Sequence, residues 1–145
     1  MDRRAQFFDE IKSRTEMTLV TAEGGSVTMR IVAPVYYEDK VLIFTSADSL
    51  KYRQLRANPG CCMEVGAFFA EATAELMGST MLDSNAALRQ AYSEKFPGAF
   101  DEGILYGGRA ADFVLLKPVR LKGWAFLNDV PTPDGIPNEP FEIEL

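Results

Sequence analysis

The sequence predicts an antiparallel β-barrel carrying a few helices, a mainly β fold of the α+β class with six or seven strands. Runs rich in β-branched and aromatic residues recur at short spacing, and glycine or acidic turns join them into tight hairpins. Only three stretches have helical periodicity. Repeating strand–helix units, which would indicate a doubly wound parallel sheet, do not occur. At 145 residues the chain is long enough to bury one core.

The first half of the chain contains a helix, a hairpin, a third strand and a second helix. Phe7, Phe8 and Ile11 have the spacing of one face of an amphipathic helix. Pro34 indicates that the second strand ends there at a sheet edge or bends. The expected elements are a helix over 2–15, strands over 17–21, 26–35 and 40–45, and a helix that Asp48 or Ser49 caps and Asn58-Pro59-Gly60 ends.

The second half predicts four strands, one helix and an extended tail. The expected elements are strands over 61–69 and 72–78, a helix from Asp83 to Pro97-Gly98, a loop over 103–109, and strands over 112–117 and 119–127 separated or bent at Pro118. Residues 1–127 would form the barrel domain, and residues 128–145 an acidic, proline-rich arm. The last five residues, FEIEL, alternate apolar and acidic, so they could pair as an edge strand.

Composition excludes several classes of function. A net charge of −6 argues against a general nucleic-acid binder. No apolar run is long enough to span a membrane and the N-terminus lacks a signal-peptide core, so we expect a cytoplasmic protein without membrane partners. The chain has no histidine, which removes Ser-His-Asp and Cys-His nucleophile systems and most transition-metal sites. We therefore expect no catalytic side chain and no metal, with a cofactor supplying any chemistry. The adjacent Cys61 and Cys62 are expected to be buried free thiols in a strand.

The segment 42–55, LIFTSADSLKYRQL, joins a predicted strand to a predicted helix through hydroxyl residues. A helix N-terminus offers free N–H groups and the positive end of the helix dipole. Hydroxyls at Thr45, Ser46 and Ser49 would add donors, and Lys51 would add a full charge. This pattern favours a phosphate site; the alternative is an ordinary capped helix with a solvated lysine.

Arg30 lies in the predicted strand that precedes this junction. An arginine there could bind a phosphate or a polar ring edge with two parallel donors. The alternative is an exposed strand arginine.

The succession of Arg30-Ile31-Val32, LIFTS, DSLKYRQLRANP and the strand from Cys61 resembles the pyridoxamine 5′-phosphate oxidase-like, flavin-binding split-barrel proteins. The resemblance covers roughly residues 7–127. It implies a split β-barrel homodimer with two FMN sites at the subunit interface. Trp124 could pack near the flavin ring or in the core.

The same resemblance assigns the cofactor-binding residues. It implies that the phosphate and ribityl chain are held by Arg30, Thr45, Ser46, Ser49 and Lys51, that backbone groups around Ile31 and Val32 face the ring, and that Thr73 reaches the flavin of the other subunit.

Two departures separate this chain from the namesake oxidases. Leu50 stands where they carry an arginine, and the histidine of their substrate site has no counterpart. The chain is more similar to the small flavoproteins of the family, including the nitroimidazole-resistance branch. We expect an FMN-dependent oxidoreductase that reduces a small organic acceptor. The alternatives are a deazaflavin coenzyme in place of FMN, or a non-catalytic flavin- or haem-binding protein in storage, sensing or stress response.

Overall fold

The computed structural model describes residues 2–100, 111–123 and 140–145. These residues form three α-helices and eight strands. The helices are α1 (Arg3–Ser13), α2 (Leu50–Ala57) and α3 (Ala86–Lys95), the last preceded by a 3₁₀ turn at Asp83–Asn85. The strands are β1 (Met17–Glu23), β2 (Ser26–Val32), β3 (Val35–Tyr37), β4 (Lys40–Ser46), β5 (Gly60–Val65), β6 (Phe68–Ser79), β7 (Ala111–Gly123) and β8 (Phe141–Glu144).

The strands form one antiparallel sheet in the order β2-β1-β5-β6-β7-β4-β3, and β8 pairs with the end of β7. β2 and β3 lie at opposite edges of this path, yet only Ala33 and Pro34 connect them. Such a link spans at most about 11 Å, so the two edges must approach each other. The sheet is therefore curled into an open barrel, split between β2 and β3. This confirms the predicted split-barrel class.

The core fills the barrel and continues beneath α3. Inside the barrel, α1 contributes Phe7, Phe8 and Ile11 to a cluster that reaches β4 and β7. On the opposite face of β4 and β7, Leu42 and Phe113 pack with α3 in a second cluster rich in aromatic residues. Successive side chains of a strand point to opposite faces, so the continuous apolar runs of these two strands reflect burial on both sides.

The strand predicted over 61–69 is wrong. Gly66 has φ +58° and ends β5, a left-handed conformation that glycine adopts without steric cost. The residues after it begin β6, which also includes the strand predicted over 72–78. An apolar run across a tight turn therefore concealed a hairpin.

Pro118 lies inside a continuous strand. Ala72 of β6 pairs with Pro118, whereas Glu71 pairs with Arg120, so Val119 is an extra residue on β7. A bulge of this kind accommodates a residue that cannot donate to the ladder. β7 is thus bent but not divided, and the rest of the strand expected to reach residue 127 lies outside the described residues.

The remaining expectations have mixed outcomes. The run over 26–35 breaks at Ala33-Pro34 into β2 and β3, and FEIEL supplies β8, which together raise the strand count above six or seven.

Cys61 is buried, and burial raises the pKa of its thiol to about 12. Cys62 is exposed, so the expectation of two buried thiols is wrong for it: its side chain alternates to the outer face of β5. The loop 103–109, Trp124 and the boundary at residue 128 lie outside the described residues.

Among the residues described, no helix has the length and hydropathy needed to cross a bilayer.

Candidate functional site

The turn between β4 and α2 is organised by two serines. Ser49 is the N-cap of α2, and its Oγ accepts a hydrogen bond from the backbone N–H of Tyr52 at 3.2 Å. The Oγ of Ser46 accepts from the backbone N–H of Asp48 at 3.2 Å. Of the two possible caps, Ser49 is the one used. These bonds fix the chain where the positive end of the α2 dipole begins.

Thr45, the last buried residue of β4, contacts this turn through its hydroxyl group. Its Oγ1 lies 3.0 Å from the Oγ of Ser49, and its side chain is 3% exposed. Opposite Thr45 on β7 is Asp112, which accepts a hydrogen bond of 2.7 Å from the hydroxyl of Tyr52 on α2. Two strands and a helix therefore hold the hydroxyl groups of the turn in place.

Lys51 lies in the first turn of α2 and is partly buried. Burial lowers the pKa of its ammonium group, and repulsion from the guanidinium of Arg30 lowers it further. In the described part of the chain, Lys51 forms no hydrogen bond or ion pair. The charge of Arg30 therefore acts on Lys51, and no carboxylate of the described residues pairs with either cation.

Arg30 extends from β2 toward the same region. Its Nη1 donates to Thr21 Oγ1 at 2.8 Å and to the carbonyl oxygen of Leu19 at 3.2 Å, and its Nη2 donates to Thr28 Oγ1 at 2.5 Å. All three acceptors are neutral. Burial lowers the pKa of Arg30, but a guanidinium remains charged in proteins. No carboxylate of the described residues pairs with it, so its charge is available to a ligand.

Gln54 of α2 completes this arrangement. Its Oε1 accepts from Thr21 Oγ1 at 2.5 Å and from Thr28 Oγ1 at 2.6 Å, and its side chain is 1% exposed. Sequence reasoning missed all three residues. The available signal was that Thr28 and Arg30 alternate onto one face of β2, with Gln54 one helical turn after Lys51.

The corner formed by the β4–α2 turn and the end of Arg30 has the chemistry of an anion site. It combines the free N–H groups of a helix start, hydroxyl groups at Thr45, Ser46 and Ser49, and the charges of Arg30 and Lys51. A phosphate needs converging donors with positive charge nearby, and this corner supplies both. We call it the α2 corner. That its residues bind a phosphate stays a prediction.

The other predicted residues lie along β2 and on β6. Ile31 is 59% exposed, whereas Val32 packs on the barrel core. β2 is an edge strand, so part of its backbone at Ile31 and Val32 has no strand partner in the described residues. Thr73 is exposed on β6 and lines a separate cleft of about 510 Å³ beside Val27. No hydrogen bond of the described residues connects Thr73 to the α2 corner.

The outer face of β2 is apolar although it faces solvent. Val27, Met29 and Ile31 alternate onto it and are 69%, 73% and 59% exposed. Met29 also lines a cleft of about 380 Å³ together with Phe69, which is 42% exposed. Val27, Met29, Ile31 and Phe69 form what we call the β2 apolar face. Large apolar side chains exposed this close together are typical of an interaction site.

Within the described residues, no cluster of histidine, cysteine or acidic side chains could hold a metal ion.

No protein-family sequence model matches the chain, and no curated protein sequence matches it significantly. Solved structures do match. General Stress Protein 26 from Bacillus anthracis aligns over 100% of both chains with a TM-score of 0.69 at 12% identity. A haem-binding protein from Mycobacterium smegmatis aligns over 99% of this chain and 59% of its own, with a TM-score of 0.69 at 17% identity. A Listeria innocua protein proposed to be a pyridoxamine 5′-phosphate oxidase aligns over 83% of this chain and 96% of its own, with a TM-score of 0.65 at 12% identity.

Other structures of the same fold include a FAD-binding protein from Mesorhizobium loti, an F420 reductase and a NimC/NimA family protein from Clostridium acetobutylicum, at 14–16% identity. The chain therefore has the split-barrel fold of the pyridoxamine 5′-phosphate oxidase-like proteins, as the sequence resemblance predicted. At this level of identity the likeness shows the fold. Its known examples include flavin-, F420- and haem-related proteins.

Proposed function

We propose that this chain is a cytoplasmic, FMN-binding oxidoreductase that acts as a homodimer and reduces a small organic acceptor. The observation that carries the proposal is the convergence of Arg30 and Lys51 at the start of α2, with no carboxylate of the described residues paired to either. Two like charges held together in a partly buried corner raise the free energy of the empty protein. A bound phosphate dianion would offset that repulsion.

Each side chain of the α2 corner would have a separate part in binding the phosphate. Arg30 has donors to spare, Lys51 contributes a point charge, and the first N–H groups of α2 donate along the helix axis. The hydroxyls of Ser46 and Ser49 would donate to the phosphate oxygens or the ribityl chain. Thr45 is buried, so its main effect is to orient Ser49.

When bound, the flavin supplies hydride or electron transfer, which needs no acid or base from the protein. Backbone groups of β2 near Ile31 and Val32 have no strand partner in the described residues. They would donate to or accept from the polar edge of a ring whose phosphate lies in the α2 corner. The chain's own residues would thus anchor the phosphate and orient the ring.

The homodimer is supported by the β2 apolar face. A second copy packed there would remove Val27, Met29, Ile31 and Phe69 from water and would enclose the adjoining clefts. Thr73 lines one of these clefts. In the dimer it could contact a flavin held by the partner subunit, which explains how a residue apart from the α2 corner could still belong to the site.

The dimer can be tested with Met29→Glu, which places a charge at the centre of the β2 apolar face. Light scattering should find single subunits, and flavin affinity should fall with them. Met81→Glu is the matched control, since Met81 is 55% exposed outside that face and should leave the dimer intact. If the Met29 variant remains dimeric, the subunits pair through another surface.

FMN binding is tested by titrating the purified protein with FMN and with riboflavin, which lacks the phosphate, while following flavin fluorescence. We expect FMN to bind more tightly, and the loaded protein to be yellow and to be reduced by NADH or NADPH in the presence of an acceptor. Equal affinity for the two ligands, or no binding, would contradict the proposal.

A second candidate keeps the fold and removes the turnover: a binding protein for a flavin, a deazaflavin or haem in storage, sensing or stress response. The names of the stress protein and the haem-binding protein among the structural neighbours favour it. Haem fits this sequence less well, since histidine, a common axial ligand, does not occur. Parallel titrations with FMN, F420 and haem separate the ligands, and steady-state assays separate a carrier from an enzyme.

A further inference from the structure

The side-chain amide oxygen of Gln54, Oε1, accepts from both threonines of the Arg30 network. Two hydroxyls, those of Thr21 and Thr28, lie 2.5 Å and 2.6 Å from it. A carbonyl oxygen has two lone pairs, and both are used here. Thr21 and Thr28 face each other across the β1–β2 hairpin, so Gln54 of α2 binds both strands at once.

The direction of every bond in this network follows from the chemistry of arginine. A guanidinium can only donate, so each threonine hydroxyl accepts from Arg30. Each then directs its one proton to Gln54 Oε1, which is much nearer than the other hydroxyl, 3.4 Å away. The order is therefore Arg30 to the two threonines to Gln54. If Gln54 were absent, neither hydroxyl would be held in the orientation that accepts from the guanidinium.

Two of the five donors of Arg30 remain after these bonds are counted. Nη1 uses both of its hydrogens, on Thr21 and Leu19, and Nη2 uses one, on Thr28. The Nε–H and the second hydrogen of Nη2 have no partner among the described residues. Donors on these neighbouring nitrogens can bind one phosphate in a bidentate manner.

We propose that Gln54 is a positioning residue that orients Arg30 toward the phosphate of the bound flavin and fixes its separation from Lys51. Gln54 and Lys51 are on the same helix, one turn apart, while Arg30 is on β2, so the network couples the two elements that carry the two charges. This inference rests on the proposed FMN-binding function.

The neutrality of Gln54 is part of its role. An amide orients the guanidinium through the threonines and leaves its charge unchanged. A carboxylate in the same place could hold the same hydroxyls, but its negative charge would offset the attraction of Arg30 for an anion. Glutamine at this position thus fixes the orientation of the Arg30 guanidinium and leaves its positive charge undiminished.

The test compares affinities for FMN and riboflavin in variants of the full-length protein. Gln54→Met keeps the length of the side chain and removes the acceptor; FMN affinity should fall by about tenfold, while riboflavin affinity stays nearly unchanged. Gln54→Glu should also lower the preference for FMN, although it retains an acceptor. A residue that only stabilises the fold would alter both ligands equally or alter the melting temperature alone.

A double-mutant cycle with Arg30→Met isolates the connection. If Gln54 acts through Arg30, then Gln54→Met should reduce the FMN preference of the natural sequence and have no further effect in the Arg30→Met background. Independent, additive losses would overturn the positioning role.

Thr28→Val provides a second route should Gln54→Met fail to fold. It removes the hydroxyl between Arg30 and Gln54 while keeping a β-branched residue on β2, and it should cause the same selective loss. Thr15→Val is the matched control, because Thr15 is exposed ahead of β1 and takes no part in the network.

The possible failures are distinguishable. If the natural sequence binds FMN and riboflavin equally, the proposed function and this inference both fail. If its preference for FMN persists in Gln54→Met or, should that variant not fold, in Thr28→Val, the positioning role alone fails.

Discussion

Two arginines on the same sheet have opposite surroundings. Arg120 of β7 forms ion pairs with Glu71 at 3.4 Å, Glu142 at 3.2 Å and Glu144 at 2.8 Å. Within the part of the chain that the structure describes, Arg30 of β2 is bound only by neutral hydroxyl and carbonyl groups. The pKa of Arg120 is raised, chiefly by Glu144 and then by Glu71, whereas burial lowers that of Arg30.

The contrast shows how one residue type can have two purposes. The carboxylates around Arg120 come from β6 and β8 and neutralise its charge. Their ion pairs with Arg120 help to attach β8 to β7. Arg30 is oriented without being neutralised, which leaves its charge for an external anion. An arginine is a candidate ligand-binding residue when its partners are neutral, whatever its exposure.

The comparison is tested most directly by exchanging each arginine for methionine. Arg30→Met should weaken FMN binding by about 3 kcal/mol, the upper range for hydrogen bonds to a charged group, because it removes a charge and two donors. Arg120→Met should leave FMN affinity close to that of the natural sequence. Isothermal titration calorimetry measures both; equal losses would contradict the assignment of separate purposes.

Lys51 is expected to contribute next. Lys51→Ala should weaken FMN binding by roughly 1.5–3 kcal/mol and leave riboflavin almost unaffected. Arg53→Ala is the matched control, since Arg53 is an exposed cation two residues further along α2. Similar losses for FMN and riboflavin would mean that Lys51 does not contact the phosphate.

At alkaline pH, FMN affinity should change by less than it does in the Arg30 and Lys51 variants, and this change should depend on Lys51. Burial and the charge of Arg30 lower its pKa from the usual 10.5, so it loses its proton at less alkaline pH than a free lysine. FMN affinity should therefore fall as pH rises through that range, whereas the empty protein should gain stability from this group, because its folded form binds the proton less well than its unfolded form.

Fluorescence titrations at a series of alkaline pH values check this dependence, with riboflavin measured alongside to account for titration of the ring. The additional fall seen with FMN should disappear in Lys51→Ala. Its persistence in that variant would assign the titration to another group.

The smallest effect is expected at Arg120. Glu144→Gln removes the carboxylate nearest to Arg120, so amide hydrogen exchange across the β7–β8 pair should become faster, with FMN affinity unchanged. Glu16→Gln is a suitable control, since Glu16 is exposed and has no hydrogen bond or ion pair in the described part of the chain. Unchanged exchange in Glu144→Gln would show that backbone pairing alone holds β8.

Local patterns predicted much of this fold correctly. The periodicity of Phe7, Phe8 and Ile11 identified α1, the serine before Leu50 identified the start of α2, and Pro34 identified the end of β2. These features depend on neighbours in the chain, through capping, steric restriction and alternation. The hairpin at Gly66 was missed because the apolar residues on both sides of the turn read as one strand.

The amino-acid sequence by itself determined the fold class and the hydroxyl-rich turn before α2, since both follow from interactions between residues close in the chain. Only the tertiary structure decided that the charge of Arg30 acts on Lys51, that Gln54 binds Thr21 and Thr28, and that Arg120 is neutralised. These arrangements arise when the sheet curls and α2 packs across the first hairpin. No local pattern in the sequence encodes which distant side chains that folding brings near one another.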